Sequence, residues 1–543
     1  MRLIITLSLL LAARLAFFQA PASATLTTNR VKAVVNANGA LFTDLQKGQF
    51  VAPFIPGQPE IGLLRGAGLW LAGLDPARNL KGAVQLFNTN EKSDFSPGIL
   101  DGDGLPASVN LTGIFRVTRA EIQAHLADLA DNGVIDNPQP GVLGWPARGN
   151  PFFEQYHPGQ SLPFTLQSLA GFYDADADGA YNPMYGDYPA IELLGCPFNR
   201  IPTEMLWFAF NDAGAHTESG MKPVQMEIQC QIFAYDCTEE SPLRNTVFVR
   251  YKLINRSTEP IEDMHLGLFN AFEIGHPGDD FFGSDPAAAL IFGYNGDNLD
   301  EGAYGSDIPA MGVKIFRGPL NAFGQDVPLA HIMPVDPATI SGPVAYYNLL
   351  HGLFIDGAPA PNNGIFYPGN PNDPGAGSEV KAGNTPGTRQ VLTSYGPFTL
   401  LPGAVNELIA GYFYAAEPGQ TPVQNVQTLY AHAKDLQDIF DSCFGPASCT
   451  GVVKTAELPA NSTGLRIFPN PACNAITIEA PSACLQRIYL IDATGRRVKN
   501  QFWSNPHQNT TLPVEHLPSG MYWVEIYLAN GQVAQKKVVV QHP

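Results

Sequence analysis

A mainly β protein is what this sequence predicts: a β-rich central region with a few helices, followed by a small C-terminal β-sandwich. Three observations carry the prediction. Glycine (53) and proline (47) are abundant in the 543-residue chain, and only 15% of its residues are charged. Short apolar runs bounded by turn residues recur through the middle of the chain. No fixed-period repeat of the kind that builds propellers or solenoids is found. The first two features favour short strands joined by many turns over long amphipathic helices. The length exceeds what one ordinary core fills, so two or more domains are expected.

The elements follow in order. Residues 1–24, MRLIITLSLLLAARLAFFQAPASA, combine a basic start at Arg2, an apolar run and the small residues Ala22, Ser23 and Ala24. This is the pattern of a secretory signal cleaved after Ala24. Arg14 leaves the apolar run too short to anchor in a bilayer, so no transmembrane segment is expected after cleavage. Residues 25–449 form the central region, in one or two domains. Within it, Thr118 and Glu121 make a capping box, apolar residues follow at 122, 126 and 129, and Gly133 ends the helix. A second helix runs over residues 425–444, with Val426, Leu429, Tyr430, Ala433, Leu436 and Phe440 at helical spacing. Both apolar stripes read as core-facing. Residues 225–235, 245–257 and 264–272 read as strands, and residues 389–403 with 404–416 as a hairpin. Residues 450–463, rich in Gly, Pro, Ser and Ala, read as a linker. Beyond them, alternation around Ile476 and Ile478 and an Asn530-Gly531 turn give the pattern of a small sandwich.

A formal charge of −19 excludes phosphate-backbone binding, which needs clustered Lys and Arg, so no nucleic-acid partner is expected. Seven cysteines in an exported chain are expected to pair, with at least one left over. Spacing predicts Cys443 with Cys449 and Cys473 with Cys484, allows Cys230 with Cys237, and leaves Cys196 unpaired.

The C-terminal motifs also carry a resemblance. Phe468-Pro469-Asn470-Pro471, Asp492-Ala493-Thr494-Gly495-Arg496, Leu517 to Tyr522 (LPSGMY) and Lys536-Lys537 before a valine-rich strand resemble the type A C-terminal sorting domain of the type IX secretion system. The resemblance covers residues 464–543. It implies an Ig-like sandwich that is recognised by outer-membrane secretion machinery, with delivery through the periplasm to the outer cell surface or the medium. Scattered central segments, among them residues 67–75, 145–151 and 278–285, resemble exported proteins that carry this domain and have no assigned reaction.

The candidate site is DADADGAYNPMYGDYP, residues 174–189. Asp174, Asp176 and Asp178 place carboxylates on alternate residues, and Gly179 permits a tight turn. That is how the first half of an EF-hand loop supplies the oxygens that Ca²⁺ needs. The twelfth position is Tyr185 where an EF-hand has a bidentate Glu, so Asp187, Glu192 or a residue distant in sequence would have to close the shell; the expected ligands are Asp174, Asp176, Asp178, Asn182 and Asp187. A structural Ca²⁺ loop is the favoured reading, ahead of a metal-free Asx turn and well ahead of a catalytic metal. Hard oxygen donors without nearby His favour Ca²⁺ over zinc. Glu273, His276, Asp279, Asp280, Asp285, Asp297 and Asp300 form a second acidic stretch, which reads as a turn or Ca²⁺ loop in preference to an active site. The chain has no GxSxG, HExxH, Walker or dinucleotide motif. Trp70, Trp145, Tyr173 and Tyr188 are read as packing residues ahead of sugar platforms. The expectation is therefore a non-enzymatic, calcium-stabilised structural or adhesive protein with a glycan or protein ligand at the surface. A secreted hydrolase of polysaccharide or protein is the alternative.

Overall fold

The computed structural model describes residues 21–44, 48–87, 92–163, 169–197, 199–237, 241–444, 466–480, 484–492, 497–528 and 533–542. Most of the expected signal segment, the 450–463 linker, Cys449 and the Asn530-Gly531 turn lie outside these residues. Ser23 and Ala24, at the expected cleavage site, belong to strand Ser23–Leu26, which pairs with Lys32–Asn36.

The chain is mainly β. Two large antiparallel sheets face each other in the central region. The first runs in the order Ser23–Leu26, Lys32–Asn36, Phe50–Val51, Gly62–Leu74, Ile261–Phe272, Arg389–Leu400, Leu329–Pro334, with Leu80–Val84 also paired to Gly62–Leu74. The second centres on Ala310–Arg317, Val405–Ala415, Thr246–Asn255, Met226–Ala234 and Glu204–Asn211. The core between them draws on residues from Leu26 to Tyr414.

Both sheets are also covered on their outer faces. Along Thr246–Asn255, Val247, Val249, Tyr251 and Leu253 enter the inter-sheet core, while Phe248 faces the other way. This is the two-residue alternation of a strand, yet every position is buried. Helix Pro422–Asp441 covers the second sheet with Val426, Leu429, Ala433, Leu436 and Phe440. Helix Pro343–Leu350 covers the first, packing Tyr346, Leu349 and Leu350 against Trp70, Phe269 and Leu392. The capping boxes locate helix starts well. Helix Arg119–Asn132 begins after Thr118 with Glu121 reaching back, and ends at Gly133 in the left-handed conformation. The second long helix starts earlier than its apolar stripe suggests, because Thr421 and Gln424 form a further capping box.

Two expectations are corrected. Residues 389–403 and 404–416 do not make a hairpin: Arg389–Leu400 pairs in the first sheet and Val405–Ala415 in the second. The turn between them is an arch over the sandwich end, and a second arch links Thr246–Asn255 to Ile261–Phe272. Buried Asn255 ties the two arches together. Its Nδ2 donates to Leu400 O (3.2 Å) and Leu401 O (3.1 Å), and its Oδ1 accepts from Ser257 N (2.9 Å). Strands buried on both faces carry no pattern that tells a hairpin from an arch.

The cysteine pairing also differs. Cys196 is bonded to Cys443, 247 residues away, with Cα atoms 5.6 Å apart. Cys237 is disulfide-bonded, while Cys230, Cys473 and Cys484 are free thiols. Cys230 is on strand Met226–Ala234 with its side chain in the inter-sheet core, which places it among apolar residues and out of reach of Cys237 beyond the strand end. Pairing follows distance in space.

The C-terminal region is a sandwich of a three-stranded and a four-stranded sheet. Ile476, Ile478 and Leu512 from one sheet meet Ile488, Leu490, Val524, Ile526 and Val538 from the other. Asn470, inside the FPNP motif, pairs its amide with the final strand, donating to Lys537 O (3.1 Å) and accepting from Val539 N (2.8 Å). That motif therefore closes the sandwich.

Candidate metal centre

The Asp174–Pro189 loop grows from a short antiparallel pair, Phe172–Tyr173 with Tyr188–Pro189, whose tyrosine rings Tyr173 and Tyr188 stack 4.8 Å apart. The surrounding structure holds it firmly. Buried Trp145 donates through Nε1 to Gly171 O (2.9 Å), and the Tyr181 hydroxyl donates to Val142 O (2.7 Å). His125, buried on helix Arg119–Asn132, meets Pro183 O at 2.9 Å. Further along, Glu192 pairs with Arg250 (3.2 Å) and Lys252 (3.1 Å) on the second sheet, and the Cys196–Cys443 bond follows.

Inside the loop the carboxylates organise backbone amides. Asp174 accepts from Ala177 N (2.6 Å) through Oδ1 and from Gly179 N (3.0 Å) through Oδ2. Asp187 accepts from Ala175 N (2.7 Å) and Asn182 N (2.8 Å). Both closures need the tight backbone, with Ala177 (φ 61) and Gly179 (φ 78) in the left-handed region. Oxygens of Asp174, Asp176 and Asp187 come within 4.8 Å of one another. Among the aspartates Asp178 stands outside this cluster, its Oδ1 accepting from Ala180 N (2.7 Å), while Asn182 Oδ1 caps the short helix Pro183–Tyr185 through Met184 N (3.1 Å). Asp187 is fully buried, and its carboxyl is pushed up to about 6, first by burial and then by the charges of Asp174 and Asp176. The three carboxylates are hard oxygen donors that suit Ca²⁺.

The second acidic stretch divides between roles. Asp280 is buried and accepts from Ile274 N (3.0 Å). Asp300 accepts from His276 N and Tyr304 N, both at 2.8 Å. His276 is half exposed, with Nδ1 3.8 Å from Asp279 Oδ1. These are loop-closing contacts of the Asx type. An open groove of about 660 Å³ lies nearby, lined by Phe282, Leu349, Phe354, Tyr367, Glu379 and Arg389. Its Glu379 carboxylate is already engaged by Arg389 Nε and Phe282 N, both at 2.8 Å. Trp70 is buried and bonded to Gln85 O, in keeping with a packing role.

One cluster escaped sequence reasoning. Asp263, His265 and His351 bring ligand-type atoms within 4.8 Å of one another, with His331 beside them. The reason for the oversight is a bulge. Ile261 and Met264 both enter the inter-sheet core although three positions apart, because the strand irregularity there, with Asp263 at φ 52, switches the alternation. Asp263 and His265 are thereby turned to the outer face. The signal, an Asp-x-His on a strand, is weak without knowledge of the bulge. His265 is buried, and its imidazole is pushed down to about 4 by burial and by the neighbouring His351. Burial opposes ionisation of Asp263, but the Tyr347 hydroxyl bonded to it and His351 hold its carboxyl below the ordinary range.

Comparison with known proteins bears on the C-terminal sandwich. Residues 466–541 match the family described as the secretion system C-terminal sorting domain. The class is thus an exported protein that carries its address at the C-terminus. More particularly, the chain is a cargo of the type IX secretion machinery, delivered to the cell surface or the extracellular space. Among the described residues no helix is long and apolar enough to cross a membrane. No curated protein matches the sequence. Among solved structures, a polysaccharide lyase shares 9% identity at a TM-score of 0.18, over 58% of this chain and 34% of its own. The CBM51-2 and INT domains of Clostridium perfringens ZmpB share 6% at a TM-score of 0.12, over 65% and 92%. The chain therefore spans about a third of that lyase, and neither likeness bears on its fold or activity.

Proposed function

We propose that the exported chain is a structural or adhesive protein whose central sandwich is stabilised by one Ca²⁺ ion in the Asp174–Pro189 loop, with a glycan or protein ligand at the cell surface. The supporting observation is the approach of Asp174, Asp176 and buried Asp187 to within 4.8 Å. Three carboxylates at such separations repel one another, and a divalent cation reverses the sign of that interaction. Asp187 still has one lone pair on each oxygen after its two backbone bonds. In this reading the ion binds through Asp174, Asp176 and Asp187, with Asp178 and Asn182 shaping the loop around it. Its task is to hold the loop, since those same carboxylates close the backbone turns.

The test is calorimetric titration of the full chain with Ca²⁺, repeated with Asp176→Ala, and thermal melts with and without chelator. One equivalent of Ca²⁺ that raises the melting temperature and is lost in Asp176→Ala is expected. Heat-silent titration with identical melts would overturn the calcium assignment. Adhesion is checked separately: cells lacking the chain should bind glycan- or protein-coated surfaces less well, and unchanged binding would refute that role.

A further inference from the structure

We propose that Asp263, His265 and His351 form a binding site for a divalent transition metal of the zinc class, on the outer face of the first sheet beside helix Pro343–Leu350. The site shares no residue with the calcium loop, and its donors are of a different kind. Two imidazoles and one carboxylate suit borderline metals, whereas Ca²⁺ takes oxygens.

Each imidazole has its Nδ1 against a backbone carbonyl. His265 Nδ1 lies 3.1 Å from Asp263 O, and His351 Nδ1 lies 2.8 Å from Tyr347 O. Neighbouring His331 repeats the arrangement, with Nδ1 2.8 Å from Asn363 O. A carbonyl oxygen only accepts, so each Nδ1 carries the proton. A neutral ring then keeps its lone pair on Nε2. Backbone carbonyls commonly fix metal-ligating histidines in this way.

His351 Nε2 faces Asp263 Oδ2 at 3.2 Å. In the neutral ring this sets a lone pair against a carboxylate, which is unfavourable unless a cation lies between them. Metal bonds of about 2.0 Å put two tetrahedral donors roughly 3.3 Å apart, close to the separation found. The other way to satisfy the contact is an imidazolium on His351 with no metal, and the two make different predictions.

The scaffold is shaped to these rings. A Cβ on Gly396 would come within 2.4 Å of the His265 ring, and one on Gly352 within 2.3 Å of His331 Nδ1. Asp263 is in the left-handed region, a conformation that a non-glycine residue adopts at a cost. Its second support is the Tyr347 hydroxyl, which donates to Oδ2 and steadies the carboxylate. His351 and Asp263 are partly accessible, which leaves an entry path for an ion.

The test uses the untagged full chain, titrated with Zn²⁺ by calorimetry and with Co²⁺ by absorption. One equivalent of either metal, with visible Co²⁺ bands of nitrogen and oxygen ligation, is expected. His351→Gln and Asp263→Asn should each weaken binding at least tenfold, while Asp176→Ala leaves it unchanged. Asp263→Asn keeps the shape of the side chain, and circular dichroism verifies that both variants fold. Absence of stoichiometric binding to the wild-type chain overturns the proposal, as does binding that both variants retain. A near-ultraviolet thiolate band would also overturn it, by placing the metal on a free cysteine. Loss of Ca²⁺ binding in Asp176→Ala with Zn²⁺ binding intact separates this site from the calcium loop.

Discussion

Asn255→Ala is expected to destabilise the central sandwich by about 3 kcal/mol. The side chain is buried where the two arches cross, and the substitution removes its donations to Leu400 O and Leu401 O and its acceptance from Ser257 N. At roughly 1 kcal/mol for each hydrogen bond, the three sum to about that figure, and buried groups left without partners add to it. The 3.4 Å contact with Glu259 O is too long to contribute much. The backbone bonds Asn255 N to Ala404 O (3.0 Å) and Gly403 N to Asn255 O (2.8 Å) remain, so the arches should loosen without changing course. Unfolding entropy scales with length, and a cooperative unit of roughly 420 residues shifts by about 1 °C per kcal/mol. Scanning calorimetry of the central transition should therefore show a fall of about 3 °C. A shift below 0.5 °C would refute the claim that this amide holds the two sheets' connections together.

The pH dependence of Asp280 has a defined sign. Burial first, then the charges of Asp279, Asp300 and Glu273, hold its carboxyl well above the ordinary carboxylate range. A carboxyl raised in the folded state contributes stability that is complete below the unfolded value of about 4 and is lost as pH rises through the folded one. Asp280→Asn imitates the protonated form and can still accept from Ile274 N. Its guanidinium unfolding midpoint should gain on the wild type between pH 5 and pH 8, and a constant gap would contradict this. Removal of residues 466–541 should retain the chain in the periplasm. Immunoblots of cell fractions report the outcome, and undiminished export would show that the address lies elsewhere.

What the sequence determined by itself is local or motif-borne. Thr118 and Glu121 start a helix because the bonds that define its end span three residues, and Gly133 stops it for an equally local reason. The sorting domain was legible because its motifs are contiguous stretches of sequence, although Asn470 acts at long range, closing the sandwich against Lys537 67 residues away. The aspartate loop was legible as a turn, and Asp187 was named among its candidate ligands. Whether Asp178 or Asp187 faces Asp174 depended on which carboxylate the surrounding packing buries. Tertiary structure alone decided the rest. Arg389–Leu400 and Val405–Ala415 look like hairpin partners, but burial on both faces erases the alternation that would assign them to separate sheets. Cys196 found Cys443 across 247 residues, a separation at which spacing carries no information. Asp263 and His265 meet His351 because one bulge reverses the side of the strand they occupy, and such a reversal follows from how strands pair.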